Sequence, residues 1–321
     1  MAYFVRRFAN SLVLLLALVS FVFLSGRLIG DPALNILGIN ASEQALDNFR
    51  ENTGLNDPIL VQYGGYIVDV VRGDFGVSYR FGFSILPSED FRDSGTEVLP
   101  IALERLPYTF RLAGASIAIA VTFAMVMGVL AARRPGSVLD RAINVVALAG
   151  VSVVQFWLGL ILITVFAVRF GWFPTSGSGG LDHLVLPALT LAMRPMGRIA
   201  QVVRSSMLDE LAKPYVIAAR AKGVSERRVV LVHALKNAAV PIVTMIGDEL
   251  SALLTGAVLV ETVFAWPGIG LLLFDSLRRG DLPLIQVSIF VVGALVVIVN
   301  FLVDLSYGVL HPRVRVAGAA S

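Results

Sequence analysis

The chain has 321 residues, of which 56% are hydrophobic and only 15% are charged, and its mean hydropathy is +0.80. This composition excludes a soluble domain, which would need far more polar surface, and predicts an integral membrane protein. The net charge is only +3 and cysteine is absent, which argues against a nucleic-acid-binding tract and excludes disulfides and thiolate metal sites.

Six apolar runs are candidates for membrane-spanning helices, at residues 12–24, 109–132, 143–168, 184–203, 238–264 and 284–310. About 20 apolar residues in a helix cross the roughly 30 Å hydrocarbon core of a bilayer. The first run follows Arg6 and Arg7, and no small-residue cleavage site comes after it, which favours a retained span over a cleaved signal peptide. The sequence therefore predicts an all-α membrane protein with six transmembrane helices.

The basic residues indicate how these helices are oriented. Arginine and lysine flank the runs at the amino terminus, between the second and third runs, between the fourth and fifth, and at the carboxyl terminus. Because loops rich in these residues stay in the cytoplasm, both termini are predicted to be cytoplasmic. Residues 30–106, which are rich in aspartate and glutamate, then lie outside, and Arg278 and Arg279 in the last external loop are exceptions.

This topology divides the chain into a first transmembrane helix (1–29), an extracytoplasmic helical subdomain (30–106), a five-helix core (107–311) and a cytoplasmic tail (312–321). Within the subdomain, Ser42 can cap a helix that ends near Gly54, and Asp57 and Pro58 can begin another. Residues 72–78 predict a turn with positions suited to left-handed backbone, although a plain solvated loop remains an alternative.

The loop at residues 205–237, between the fourth and fifth runs, contains every lysine of the chain, namely Lys213, Lys222 and Lys236. Pro214 suits the first turn of a short helix, Gly223 can end it, and Ser225 can cap a second one. The first helix would place four residues on one face: Tyr215, Ala218, Ala219 and Lys222. An aromatic ring beside two alanines favours close docking of a cytoplasmic partner, and the alternative is a merely solvated basic loop.

The residues of this loop resemble the coupling loop of ABC-importer permeases, in the branch that imports dipeptides, oligopeptides and nickel. The loop reads Tyr215-Val-Ile-Ala-Ala-Arg-Ala-Lys-Gly and continues to His233-Ala-Leu-Lys-Asn-Ala. The broader importer pattern has a glutamate where this chain has Ile217, so a salt bridge from that position is not expected. Further matching stretches lie at residues 55–59, 62–63, 72–78, 156–160, 186–191 and 256–270.

The resemblance implies a permease subunit of the bacterial cytoplasmic membrane, similar to the dipeptide and oligopeptide permeases. Its partners would be a second permease, two cytoplasmic ATPases and an extracytoplasmic solute-binding protein. ATP and magnesium would be bound by the ATPases, and this chain would hold no cofactor. The solute would be a peptide, or alternatively a nickel chelate, glutathione or another peptide-like compound. The residues expected to contact the ATPase are Tyr215, Ala218, Ala219, Arg220, Lys222 and Gly223.

The sequence itself argues against catalysis by this chain. Every lysine is followed by proline, glycine or asparagine, so the phosphate-binding Gly-Lys-Ser/Thr motif is absent. The histidines are scattered over different loops, and no Gly-x-Ser-x-Gly nucleophile motif occurs. An ATP-independent channel or secondary carrier is a remote alternative; such proteins need no docking helix and often contain broken spanning helices, which the apolar runs do not predict.

Two groups of polar residues lie in or near the predicted spans. Arg194, Asp248 and Glu249 are costly in hydrocarbon, by roughly 2.5–3.5 kcal/mol each at the bilayer centre. Either Arg194 or Arg198 pairs with one of the two carboxylates, or Asp248 lines the solute pathway together with Ser251 and Thr255. The second group lies at the outer end of the fifth run and is predicted to form part of an extracytoplasmic gate or docking surface: Glu261, Trp266, Pro267 and Gly268.

Overall fold

The computed structural model describes residues 2–28, 33–34, 41–52, 54–78 and 96–310, and most of these residues are helical. The predicted cytoplasmic tail and part of the extracytoplasmic subdomain lie outside the described residues. The described elements are α1 (Ala2–Leu28), α2 (Glu43–Asn52), α3 (Ile59–Arg72), β1 (Val77–Ser78), β2 (Thr96–Glu97), α4 (Val98–Arg133), α5 (Val138–Ser152), α6 (Gln155–Leu162), α7 (Leu181–Leu211), α8 (Pro214–Ala221), α9 (Glu226–Arg228), α10 (Leu235–Val263), α11 (Ile269–Arg279) and α12 (Leu282–Leu310). Two π-helical segments, Ile163–Arg169 and Val229–Ala234, continue α6 and α9.

Three helical segments in the described part of the chain are long and apolar enough to cross a membrane: Val98–Arg133, Glu226–Val263 and Leu282–Val303. A fourth span results if α5 and α6, with its π-helical continuation, are counted together, and Phe8–Leu24 is a shorter apolar helical stretch. The protein is therefore a helical membrane protein, as its composition predicts.

The third apolar run is broken, whereas the sequence predicted one continuous helix over residues 143–168. Val138–Ser152 and Gln155–Arg169 meet at an angle of 105°, because Val153 and Val154 have extended backbone with ψ angles of 129° and 124°. Consecutive β-branched residues lose side-chain freedom in a helix, which makes this a favourable place for a break. The unbroken spans predicted from the sequence argued against a secondary carrier. Because this span is broken, they no longer do so.

One compact unit consists of the described residues within Met1–Thr109 and Pro267–Ile298. As predicted, Ser42 caps α2 by accepting a hydrogen bond from the Ala45 amide at 3.2 Å, and α3 begins directly after Pro58. The turn after α3 is ordered, with φ angles of 79° at Gly73 and 80° at Gly76, a backbone conformation that favours glycine. It leads into the short antiparallel pair of β1 and β2, which the sequence did not predict.

The second compact unit consists of the described residues within Phe110–Trp266 and Val299–Ser321. Its central helix, α7, packs against α5 and α10 and contributes Ile199, Val203 and Met207 to a fully buried core. Glycines let the backbones of α5 and α7 approach closely. A Cβ atom on Gly197 would lie only 2.3 Å from the carbonyl oxygen of Ala147.

Replacing Gly197 by alanine is expected to destabilise the second unit by about 1–3 kcal/mol, since the added methyl group forces α5 and α7 apart. Thermal unfolding in detergent measures the loss. Gly114 in α4 is the control, because a Cβ atom there meets nothing within 4 Å, and Gly114→Ala should instead stabilise the helix by up to about 1 kcal/mol. Equal melting temperatures for the two variants would contradict the close approach.

Candidate coupling site

The short helix predicted in the lysine-bearing loop is present as α8, Pro214–Ala221. Pro214 lies in its first turn, and Gly223 follows its end with a φ angle of 76°, as the sequence predicted. Ser225 occupies the cap position before α9, but its hydroxyl makes no capping hydrogen bond, so the predicted side-chain cap is wrong. The turn is closed by backbone bonds alone, with the Ser225 carbonyl accepting from Val229 at 3.0 Å.

One face of α8 is anchored and the other is exposed. Val216 is fully buried, and α8 packs against the π-helical segment Val229–Ala234, whose own inward side chains are buried. Ala219 is half-buried, and Ile217 is 61% exposed. The exposed residues among the predicted ATPase contacts are Tyr215, Ala218, Arg220, Lys222 and Gly223. The loop therefore presents a small-residue surface from a fixed helix.

Tyr215 holds α8 in place at its amino-terminal end, a role that the sequence did not predict. Its hydroxyl donates a hydrogen bond to Glu210 Oε2 at 2.8 Å and accepts one from Asn237 Nδ2 at 3.0 Å. Glu210 belongs to α7 and Asn237 to α10. The ring thus joins α8 to both long helices that flank the loop, while the residue keeps 37% of its surface exposed.

A second set of charged contacts reinforces this arrangement. Lys213 Nζ donates to Glu210 Oε1 at 2.6 Å, and this bond lowers the pKa of the Glu210 carboxyl, although burial opposes the shift. The same bond raises the pKa of Lys213. A lowered carboxyl pKa stabilises the fold above the ordinary glutamate value of about 4.3, and the contribution is lost as the pH falls through the lowered value. At neutral pH the contact is fully charged.

Two arginines make paired hydrogen bonds around the loop. Arg220 donates to both carboxylate oxygens of Glu226, at 2.7 and 3.0 Å, and joins the end of α8 to α9. Arg204 of α7 donates to both oxygens of Asp140 in α5, at 2.6 and 2.9 Å. Such two-point contacts fix orientation as well as distance. The first pair links α8 to α9, and the second links α7 to α5.

Sequence reasoning missed Glu210, Asn237 and Val216. Glu210 lies three residues before Lys213, a spacing typical of a helical ion pair, but the helix ends between them at Leu211. Asn237 lies 22 residues beyond Tyr215, and no local pattern connects the two. The burial of Val216 depends on the position of the π-helical segment, which periodicity does not indicate.

Replacing Glu210 by alanine is expected to loosen α8 by about 1 kcal/mol, or roughly fivefold in the population of the aligned loop, because Lys213 and Tyr215 both lose a partner. If the loop couples to an ATPase as the resemblance implies, solute transported per ATP hydrolysed should fall, with expression preserved. Asp209→Ala is the control, since Asp209 is exposed on the same turn, and its side chain acts on Lys213 only through longer-range attraction, without a hydrogen bond in the described part of the chain. A comparable fall in both variants would contradict this role of Glu210.

The structure brings Arg198 and Glu249 together among the predicted membrane-embedded charges. Arg198 Nη1 lies 2.6 Å from Glu249 Oε1, and the two side chains are 40% and 2% exposed. Arg194 is exposed one turn away on α7. On α10, Asp248 and Thr255 are exposed, whereas Ser251 is buried and its hydroxyl donates to the Gly247 carbonyl at 3.5 Å. Glu249 therefore belongs to the interior of the unit, and Asp248 to its surface.

The predicted gate residues lie around a sharp reversal of the chain. Glu261 is fully buried near the end of α10, and its carbonyl accepts a hydrogen bond from the Trp266 amide at 2.8 Å. Trp266 is only 3% exposed, so its ring packs inside the protein. The reversal includes Ala265 with a φ angle of 46°, a strained value for a residue with a side chain. Pro267 is half-buried, and Gly268 precedes α11 with extended backbone.

Comparison with known proteins connects this geometry to a family. Residues 124–316 match the model described as "Binding-protein-dependent transport system inner membrane component", and residues 1–113 match the model of the corresponding amino-terminal region. The first match contains the whole loop at residues 205–237 and both groups of polar residues in or near the predicted spans.

Three curated relatives are similar over nearly the whole chain. A probable peptide ABC transporter permease, y4tP of Sinorhizobium fredii, is 38% identical over 98% of this chain and 99% of its own length. The oligopeptide permease AppB of Bacillus subtilis is 37% identical over the same shares. The glutathione permease GsiC of Escherichia coli K12 is 38% identical over 98% of each chain. The chain therefore belongs to the family of inner membrane components of binding-protein-dependent ABC transport systems.

Proposed function

We propose that this chain is one of two permease subunits of an ATP-driven importer of peptides in the bacterial cytoplasmic membrane. The observation that carries the proposal is the near-full-length similarity to permeases named for peptides, oligopeptides and glutathione. The anchored helix α8 supports it, because a chain without a phosphate-binding loop needs contact with a separate ATPase. ATP and magnesium belong to those partners, and the chain holds neither cofactor nor nucleic acid.

The proposed topology has six spans with both termini in the cytoplasm. It adds Phe8–Leu24 of α1 and residues 184–203 of α7 to the three long apolar segments and the bent pair of α5 and α6. Two of the three arginines of α7 have a carboxylate partner at 2.6 Å: Arg198 pairs with Glu249, and Arg204 pairs with Asp140. The third, Arg194, is exposed. Paired charges of this kind are tolerated in spans that face protein.

In the proposed mechanism, α8 enters a groove on an ATPase subunit. Closure of the two ATPases moves α8, and the contacts of Tyr215, Arg220 and Arg204 pass the movement to the spans. The permease then alternates between access from outside and from inside. A second, similar permease completes the pathway, and a solute-binding protein delivers the solute to the extracytoplasmic subdomain at residues 30–106 and to the gate around Glu261 and Trp266.

The pathway itself is proposed to include Asp248 and Thr255. Both are exposed on α10, and their spacing of seven residues places them on one side of the helix. A carboxylate and a hydroxyl on one surface suit the amino terminus and the amide groups of a short peptide. The pair of Arg198 and Glu249 is proposed to support this surface from within, and Arg194 is exposed near it.

The test is uptake into vesicles that contain the chain with its permease, ATPase and binding-protein partners. A mixture of dipeptides, oligopeptides, glutathione and nickel chelates is offered, and mass spectrometry identifies what accumulates. ATP-dependent accumulation of peptides supports the proposal, and selective accumulation of glutathione would support the solute suggested by GsiC. Equilibration without ATP would overturn it in favour of a channel or carrier.

A further inference from the structure

An open apolar groove of about 410 Å³ lies in the second unit between the end of α4 and the first turns of the helical segment Glu226–Val263, which begins within the loop at residues 205–237. Its walls include Val126 and Leu130 on α4 and Leu231 on the π-helical segment, and these side chains are 56%, 40% and 45% exposed. Both helical segments are long and apolar enough to cross the membrane. The groove is therefore open at the outer surface of these two helical segments, and buried residues such as Val230 line it on the inner side.

Two arginines stand at the same end of this groove. Arg133 is the last residue of α4, and Arg227 lies in α9; both line the groove and are exposed. Within the described residues, neither side chain forms a hydrogen bond or an ion pair within 4 Å. The nearby carboxylate of Glu226 is bound at both oxygens by Arg220, and Arg133 interacts with it electrostatically only from beyond ion-pair distance.

The dimensions of the groove agree with one leaflet of a bilayer. Its α4 wall runs from Val126 to Arg133, which corresponds to roughly 10 Å along a helix at about 1.5 Å per residue. Half of the hydrocarbon core is about 15 Å thick. Val126 and Leu130 on the α4 wall lie within the predicted span at residues 109–132 and match acyl-chain depth, and Arg133 follows directly after that span, at the level expected for headgroups.

We propose that this groove binds an anionic phospholipid, with an acyl chain along the apolar walls and the phosphate between Arg133 and Arg227. Unpaired arginines at the cytoplasmic end of a span attract anionic lipids, and a guanidinium group suits a phosphate oxygen pair. The proposal rests on the topology given under Proposed function, which places this end in the cytoplasm. Because α8 packs against the π-helical segment, a bound lipid would also stabilise the position of α8.

The test measures lipid binding to the purified chain by native mass spectrometry, a readout that needs no transport. Phosphatidylglycerol should bind at least tenfold more tightly than phosphatidylcholine, and the double variant Arg133→Gln with Arg227→Gln should lose that preference. The control is Arg134→Gln with Arg228→Gln, which removes two exposed arginines that do not line the groove and should keep the preference. Val126→Trp, which fills the groove and leaves both arginines in place, should weaken binding as well.

Equal losses in the groove and control variants would overturn the proposal in favour of general surface attraction, and so would unchanged binding in the groove variants. Competition by glycerol phosphate, which lacks an acyl chain, would overturn the role of the apolar walls. Arginine-selective labelling of the assembled importer tests whether a partner protein, and not a lipid, occupies the groove. Protection of Arg133 and Arg227 that appears only on addition of the partner subunits would show that protein covers the groove.

Discussion

Replacing Ala218 by tryptophan is expected to abolish transport by preventing assembly with the ATPase subunits. Ala218 is exposed on α8, beside the buried anchor Val216, so the large ring projects outward and leaves the fold of the chain intact. Disrupting a contact at the centre of a protein interface typically costs at least about 2 kcal/mol of binding free energy, which weakens assembly with the ATPase roughly 30-fold. Co-purification of the ATPase and ATP-dependent peptide uptake should fall together.

The matched control for this prediction is Ala212→Trp. Ala212 is also an exposed alanine in the loop, directly after the end of α7 and outside α8. It should retain assembly and uptake, because the added volume does not lie on the docking helix. If Ala218→Trp assembled and transported like the control, α8 would not be the docking element.

Replacing Arg198 by alanine is expected to cause the largest loss of stability among single changes in the second unit. Its partner Glu249 has only 2% of its side chain exposed and lies 2.6 Å away, so the change leaves a carboxylate buried without this cation. Breaking a buried ion pair in this way costs about 3 kcal/mol or more. A marked fall in the melting temperature in detergent, and low levels in the membrane, are the expected results.

Arg194→Ala supplies the comparison, since Arg194 lies one turn away on the same helix and is exposed. Its removal should lower the melting temperature much less than Arg198→Ala does, because Arg194 acts on Glu249 only from beyond ion-pair distance. A charge-reversed double variant, Arg198→Glu with Glu249→Arg, should recover part of the stability that either single reversal loses, because the pair re-forms with opposite polarity. Additive losses in the double variant would show that the two residues act independently.

Local chemistry predicts the elements of this protein better than their connections. Pro214, Gly223, Ser42 and Pro58 mark helix boundaries through properties of their own backbone or side chain, and the structure places the boundaries there. The break after Ser152 was missed because the apolar run continues through it without proline. Hydropathy reports that a segment prefers lipid or protein, but not that its backbone turns by 105°.

In the candidate site too, the sequence predicts the local helix but not the contacts between distant elements. The sequence indicates which residues of α8 face outward, because small and aromatic side chains recur at helical spacing. It does not indicate that Asn237 and Glu210 meet at the hydroxyl of Tyr215, since this contact joins three helices and depends on their packing. Likewise, the sequence left four possible pairs among the charges of the fourth and fifth runs, and only packing selects Arg198 with Glu249 at 2.6 Å.

The most direct test of the coupling mechanism uses the absence of cysteine from the chain. In the importer reconstituted with its partners, Ala218→Cys provides a single reactive thiol on α8, and Ala212→Cys provides the comparison. The mechanism predicts that Ala218→Cys cross-links to a cysteine placed in the ATPase groove and that the yield changes with ATP, while Ala212→Cys reacts far less. In intact cells that express the importer, labelling of Ala218→Cys by a membrane-impermeant reagent added to the medium would contradict both the topology and the coupling role of α8.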